Sequence, residues 1–188
     1  VISGQLNNRA YGLLKFWNWT EKVDGTNIRA VWDYVAQSVT FGGRTDNVQI
    51  PASLYQKLVQ LMPPEKFAAV FPTTNVTVYG EGFGAGIQKG GGDYSPDKEF
   101  AVFDVLVDRK WWLADENMRD VAAKLELQAV PSFGDMPLEE AVELVRAGFP
   151  SKIARGEKQA EGLVGKPSEA LFDKKGHRLV VKLKTKDF

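Results

Sequence analysis

Three groups of charged residues in this sequence have types and spacings that suit chemistry. Lys182 and Lys184 stand two apart in Val181-Lys182-Leu183-Lys184, so in an extended strand both ammonium groups share one face. Like charges side by side repel unless an anion lies between them, which suits a phosphate. The same pair on an exposed strand would equally serve to discourage edge pairing. Lys22 lies in Glu21-Lys22-Val23-Asp24-Gly25-Thr26-Asn27, a short polar break between aromatic-rich segments. Its Asp-Gly pair is a strong hairpin signal, which puts Lys22 at the mouth of two antiparallel strands or leaves it a plain surface lysine. Asp104 interrupts the apolar run Phe100 to Val107. A buried carboxylate needs partners, so it is a structural acceptor or a site group, while its neighbour Phe103 is core or a platform for a base.

The charge distribution adds to the phosphate reading. The net charge is zero, but residues 1–149 hold 14 Lys and Arg against 19 Asp and Glu, and residues 150–188 hold 10 against 5. The C-terminal stretch is therefore at +5, a local basic face or a solvated lysine-rich strand pair. With no Cys and only His177, a disulfide framework, a thiolate metal site and a His-based triad have no residues to build them. No apolar run approaches a membrane span and no secretory signal is evident, so a soluble, intracellular (cytoplasmic) protein is expected. A chain of 188 residues suits one compact domain.

The elements that must position these groups follow from pattern. Residues 1–13 carry no strong period and read as an irregular lead-in. Strands are expected over 14–19, 28–33, 38–41, 99–107, 161–166 and 179–184, with helices over 51–62, 115–127 and 138–147. Pro63-Pro64 stops the first helix, and Gly148 caps the last. Val76-Thr77-Val78-Tyr79 reads as a strand running into the glycine-dense loop Gly80 to Gly92, where glycine allows a ligand close to the backbone or simply makes a flexible linker. No register of those glycines satisfies G-x-G-x-x-G, and Gly165-Lys166 is followed by Pro167, which excludes a Walker A loop.

Taken in order, Lys22-Val23-Asp24-Gly25, Arg44, Gly80-Glu81, Phe103-Asp104, Glu161-Gly162 and Lys182-Leu183-Lys184 resemble the motif series of the covalent nucleotidyltransferases, the ligases and messenger-RNA capping enzymes. The segment Tyr79 to Gly90 resembles the glycine-rich stretch of the RNA ligase 2 family, and the likeness spans about Glu21 to Lys184. The fold it implies is α+β: mostly antiparallel sheets flanked by helices, the nucleotidyltransferase (ATP-grasp-like) domain of ligases. Residues 1–188 would form a single adenylyltransferase domain. The chain stops at Phe188, just past the last motif, so the further C-terminal domain that family members usually carry is expected to be absent.

The resemblance also implies roles. Lys22 would attack the α-phosphate of ATP to form a lysyl-adenylate, with Lys182 and Lys184 assisting catalysis and holding phosphates. Glu81 and Glu161 would hold ribose or a Mg2+ (or Mn2+) ion. Phe103 would stack on adenine, Arg44 would read ribose or a nucleic-acid phosphate, and Lys166 would add a phosphate contact. Glu21, Asp24 and Gly25 complete the implied ATP-binding set. The partner would be a nucleic acid with 5′-phosphate and 3′-hydroxyl ends, RNA or a nicked duplex, handled by a monomer away from membranes. A small DNA ligase, a capping guanylyltransferase using GTP, and a non-catalytic nucleotide- or end-binding module are the alternatives.

Overall fold

The structure is a computed structural model that describes residue 6 and residues 8–188. In chain order its first elements are β1 (Trp17–Glu21), β2 (Thr26–Asp33), β3 (Ser38–Gly42), α1 (Ala52–Leu61), α2 (Pro64–Val70), β4 (Val76–Gly84) and β5 (Lys98–Val107). They are followed by β6 (Trp111–Trp112), α3 (Asp115–Lys124), β7 (Gln128–Ala129), β8 (Ser132–Met136), α4 (Leu138–Ala147), β9 (Gly162–Lys166) and β10 (Val181–Lys184). Short 3-10 turns cover Arg9–Leu13, Gly91–Asp93 and Thr185–Asp187. Among the described residues no helix is long and apolar enough to cross a membrane.

The chain folds as two compact units, residues 1–23 with 130–188 and residues 24–129. The first is built on a four-stranded antiparallel sheet in the order β10-β9-β1-β8. Alternation along the strands puts Trp17, Trp19, Leu163, Val181 and Leu183 on one face, where Leu138, Ala141 and Val145 of α4 cover them. The Trp19 indole donates to the Met136 carbonyl at 3.0 Å, so its one polar atom is satisfied inside the core. The second unit carries a six-stranded sheet, β3-β2-β4-β5-β6, with β7 parallel to β5 and every other pair antiparallel. Leu54 and Leu58 of α1, Phe67 of α2, and Met118, Val121 and Ala122 of α3 bury against Ile28, Trp32, Val78 and Val102. Each of these side chains contributes about 1.5–3 kcal/mol when fully buried.

Helix α4 has the bounds its periodicity implies, closed by Gly148 at φ 77°. Four expectations are corrected. Strands β1 and β2 form no hairpin: β1 pairs with β8 and β9, whereas β2 pairs with β3 and β4. Asp24-Gly25 is the crossing from one unit to the other. Gly25 is required there by a close approach, since a Cβ would lie 2.2 Å from the Gly82 carbonyl oxygen. The glycine-dense stretch is strand as far as Gly84, and Gly80 makes room for the protein itself, a Cβ there meeting Phe100 at 2.4 Å. Pro64 stops α1 but also opens α2 at its first turn, where its missing N–H costs nothing. In the lead-in, residues 1–5 and 7 lie outside the described residues and Arg9–Leu13 is a 3-10 turn, with Asn8 accepting from the Ala10 N–H.

Replacing Trp19 by Ala empties the centre of the first unit and removes the Met136 bond. A loss of about 3–5 kcal/mol is expected, measured as a lower urea midpoint of the transition that reports on this unit; an unchanged midpoint would contradict the packing described.

Candidate active site

In the first unit, backbone bonds set the lysine. The Glu21 N–H donates to the Pro131 carbonyl and the Lys22 N–H to the Gly162 carbonyl, both at 2.9 Å, so the end of β1 is pinned on two sides. Glu161 stands just before β9, and its own carbonyl accepts the Thr185 N–H at 2.9 Å. Lys184 on β10 lies opposite Gly162. These registers bring three side chains together. Lys22 Nζ is 2.5 Å from Glu161 Oε2, and Lys184 Nζ is 4.0 Å from the other oxygen, Oε1. The three side chains are 20%, 31% and 22% exposed for Lys22, Lys184 and Glu161. Two cations thus face one partly solvated carboxylate, an arrangement that contributes little to stability and presents an unbalanced positive charge to an incoming anion.

Lys182 shares the outer face of β10 with Lys184 while Val181 and Leu183 are buried, as the spacing implies. Lys166 ends β9 opposite Asn18. It is four residues from Gly162, roughly 13 Å along the strand, so it is not gathered with the Lys22–Glu161 pair. Glu21 points inward. It is 2% exposed; one carboxylate oxygen accepts from the Ser151 hydroxyl and the other from the Lys152 N–H at 2.8 Å. Ser151 Oγ in turn accepts the Ala154 N–H at 3.2 Å. No local pattern marks this bracket, because Ser151 and Lys152 lie 130 and 131 residues further along the chain.

In the second unit, Asp24 and Gly25 lie against β4. The Asp24 N–H donates to the buried Tyr94 hydroxyl at 3.2 Å, and Gln88 donates to the Gly25 carbonyl at 3.0 Å. A Cβ on Gly25 would also lie 3.0 Å from Glu81 Cγ, so Glu81, in register with Asn27 and Ala101, stands beside this crossing. Phe103 occupies a β-bulge: Tyr79 pairs with Asp104 and Gly80 with Val102, leaving Phe103 unmatched. A bulge breaks alternation and re-aims one side chain, which is why Phe103 is half-buried between buried Val102 and buried Asp104. Arg44 is exposed, just past the edge strand β3. Sequence reasoning missed Arg29, which lies on β2 opposite Tyr79 and pairs with Asp46. It also missed the Tyr79 phenol, which burial pushes above its ordinary range; Arg29 opposes that shift and Asp104 adds to it.

Among the described residues no three His, Asp or Glu side chains gather as a metal site. The donors present fit a hard cation that is delivered with phosphates and needs only one or two protein carboxylates. Glu161 is the carboxylate of this cluster, with Lys22 at Oε2 and Lys184 4.0 Å from Oε1.

Removal of the Glu21 carboxylate in Glu21→Ala strands the Lys152 N–H and the Ser151 hydroxyl. A destabilisation of about 1–3 kcal/mol is expected, read by chemical denaturation. Wild-type stability in this variant would show that the bracket carries no energy.

Residues 15–184 match the family model described as RNA ligase. No curated protein matches the sequence. Among solved structures, a lysine-to-alanine variant of the Naegleria gruberi RNA ligase with ATP and Mn aligns over 93% of this chain and 52% of its own, at 19% identity and a TM-score of 0.70. The same ligase with PPi aligns over 90% and 49%, at 20% identity and a TM-score of 0.69. A lysine-to-methionine variant with AMP and Mn aligns over 93% and 51%, at 19% identity and a TM-score of 0.70. The present chain therefore spans about half the length of these ligases, and the likeness is one of fold: antiparallel sheets flanked by helices, α+β as expected.

Proposed function

Because this chain belongs to the RNA ligase family, we propose that it is an ATP-dependent RNA ligase in which residues 1–188 act as one adenylyltransferase domain and Lys22 carries the first step. The Lys22 amine attacks the α-phosphorus of ATP. A phosphorus–nitrogen bond forms, the bond to the bridging oxygen breaks, pyrophosphate leaves, and the nitrogen gives up a proton to solvent. AMP then passes from the lysine to a 5′-phosphate end, and a 3′-hydroxyl displaces it as the 3′-5′ phosphodiester forms. The acceptor is RNA, as single-stranded ends or a nicked duplex.

The observation that carries this reading is the Lys22–Glu161–Lys184 cluster. Attack requires the lone pair of the Lys22 nitrogen, and that nitrogen is engaged by Glu161 at 2.5 Å, so this contact must loosen as the nucleotide enters. A divalent cation bound at Glu161 would supply positive charge to the nucleotide phosphates and compete with Lys22 for the carboxylate. Lys184, at the other carboxylate oxygen, is positioned to take up negative charge that develops on the phosphoryl group. Lys182, on the same strand face, is assigned to the leaving phosphates.

The remaining assignments follow the resemblance, each with its local support. Phe103, re-aimed by its bulge, is assigned to the adenine ring. Glu81 is assigned to ribose or metal, with Asp24 and Gly25 beside it. Arg44, exposed past an edge strand, is assigned to ribose or a nucleic-acid phosphate. Lys166 stands too far along β9 for the reacting phosphate and suits one further along the substrate. Glu21, whose carboxylate is engaged by Ser151 and Lys152, reaches the adenine only by way of that bracket.

Two substitutions test the assignment by transfer of labelled AMP to the protein. Lys22→Ala is expected to abolish labelling while leaving the circular dichroism spectrum unchanged; retained labelling would remove Lys22 from the reaction. Lys184→Ala is expected to slow labelling by roughly 10²-fold, the usual cost of losing one charge-stabilising donor. An unchanged rate would take Lys184 out of the site.

A further inference from the structure

The connection between β9 and β10 contains a basic hairpin that the adenylylation chemistry does not use. Leu171-Phe172-Asp173-Lys174-Lys175-Gly176-His177-Arg178-Leu179 folds back on itself, with an isolated bridge between Phe172 and Arg178. The Leu179 N–H donates to the Leu171 carbonyl and the Asp173 N–H to the His177 carbonyl, both at 2.8 Å, and the Gly176 N–H donates to the Asp173 carbonyl at 3.0 Å. Gly176, at φ 79°, takes the left-handed position that the tight turn requires.

The hairpin's one carboxylate is turned onto the hairpin itself, Oδ1 onto backbone N–H groups and Oδ2 3.3 Å from the His177 ring Nδ1. Asp173 Oδ1 accepts the Lys175 N–H at 2.8 Å and the His177 N–H at 2.9 Å. These bonds, that from His177 first, hold the Asp173 carboxyl below the usual carboxylate range. The turn is therefore built in advance, and Lys174, Lys175 and His177 are exposed on it. Counting Arg178, the hairpin holds three Lys or Arg residues against one Asp, a net +2. In the same hairpin the Phe172 residue is 51% exposed and Leu171 41%. A merely solvated turn has no use for a half-exposed aromatic ring among lysines, whereas a nucleic-acid strand uses both: cations for phosphates and an aromatic face for a base.

Placement favours the same partner. The hairpin leaves β9 beyond Lys166 and returns into β10 before Lys182. Lys182 lies opposite Val164 and Lys184 opposite Gly162, so Lys166, Lys182 and Lys184 share the outer face of this two-strand ladder, and the hairpin extends it away from Lys22. A polyanion entering at Lys184 meets cations along the ladder and then the hairpin.

We propose that the hairpin of residues 171–179 is a docking site for a single-stranded segment of the RNA substrate, with Lys174 and Lys175 on phosphates and Phe172 stacked on an unpaired base. This rests on the RNA ligase reading above, and the test separates the two.

A 5′-phosphorylated, fluorescently labelled oligoribonucleotide is titrated with the protein at several salt concentrations, and adenylation by labelled ATP is followed without RNA in the same preparations. Replacing Lys174 and Lys175 together by Ala is expected to reduce the slope of log affinity against log salt by about 1.4, two single-strand phosphate contacts' worth. Phe172→Ala is expected to weaken binding at least about fivefold with the slope unchanged, the signature of lost stacking. Adenylation without RNA is expected to be the same in all three proteins. Wild-type affinity and slope in both variants would overturn the docking site, as would a loss of RNA-independent adenylation in either. If wild-type protein fails to adenylate while the variants change RNA binding as stated, the ligase reading falls and the docking site stands.

Discussion

A backbone hydrogen bond from the Lys22 N–H to the Gly162 carbonyl carries the β1–β9 ladder one step past Glu21, and the charged cluster depends on that registration. It sets residue 22 beside residue 161, so that the ammonium and the carboxylate meet at 2.5 Å. The next ladder continues the same registration, placing Lys184 across from Gly162. Gly162 has no side chain for a reason: a Cβ there would lie 1.9 Å from the Leu183 carbonyl oxygen, and β10 would have to move away. One such bond contributes only about 1 kcal/mol. The alignment is held by what lies beneath it, Trp17, Trp19, Leu163, Val181 and Leu183 packed under α4. Polar chemistry on the outer face rests on apolar burial on the inner one.

The stretch Glu21 to Gly25 also joins the two compact units. Lys22 and Val23 belong to the first and Asp24 and Gly25 to the second, so five consecutive residues serve two different sheets. Glu21 turns inward to hold Ser151 and Lys152, Lys22 reaches Glu161, Asp24 is tied to Tyr94, and Gly25 fits against Gly82. Four of the five residues thus have distinct partners, Asp24 through its backbone N–H alone.

Local periodicity made the elements legible and left their pairing obscure. Helix α4, with apolar residues on one face and glycine at its end, could be bounded from its own residues, and so could β3 and β5. Asp24-Gly25 misled because the signal for a hairpin turn is local, whereas the partners of β1 are β8 and β9, more than a hundred residues away. The short strands β6 and β7 have two residues each, too few to show any period. The same division holds for the site. Lys182 and Lys184 declared a common face by their spacing, and the motif order pointed to Lys22 and Glu161. The bulge that re-aims Phe103, the Tyr94 hydroxyl under Asp24 and the Ser151 bracket around Glu21 are products of tertiary contact, and nothing near those residues in sequence announces them.

The central claim is that Lys22 is the residue that becomes covalently bonded to the nucleotide, and the location of the adduct tests it most directly. The protein is incubated with magnesium and either ATP or GTP, digested, and the modified peptide located by mass spectrometry. The account predicts one AMP on Lys22 from ATP and no adduct from GTP. AMP on a different lysine, a GMP adduct, or no adduct on folded protein would contradict it.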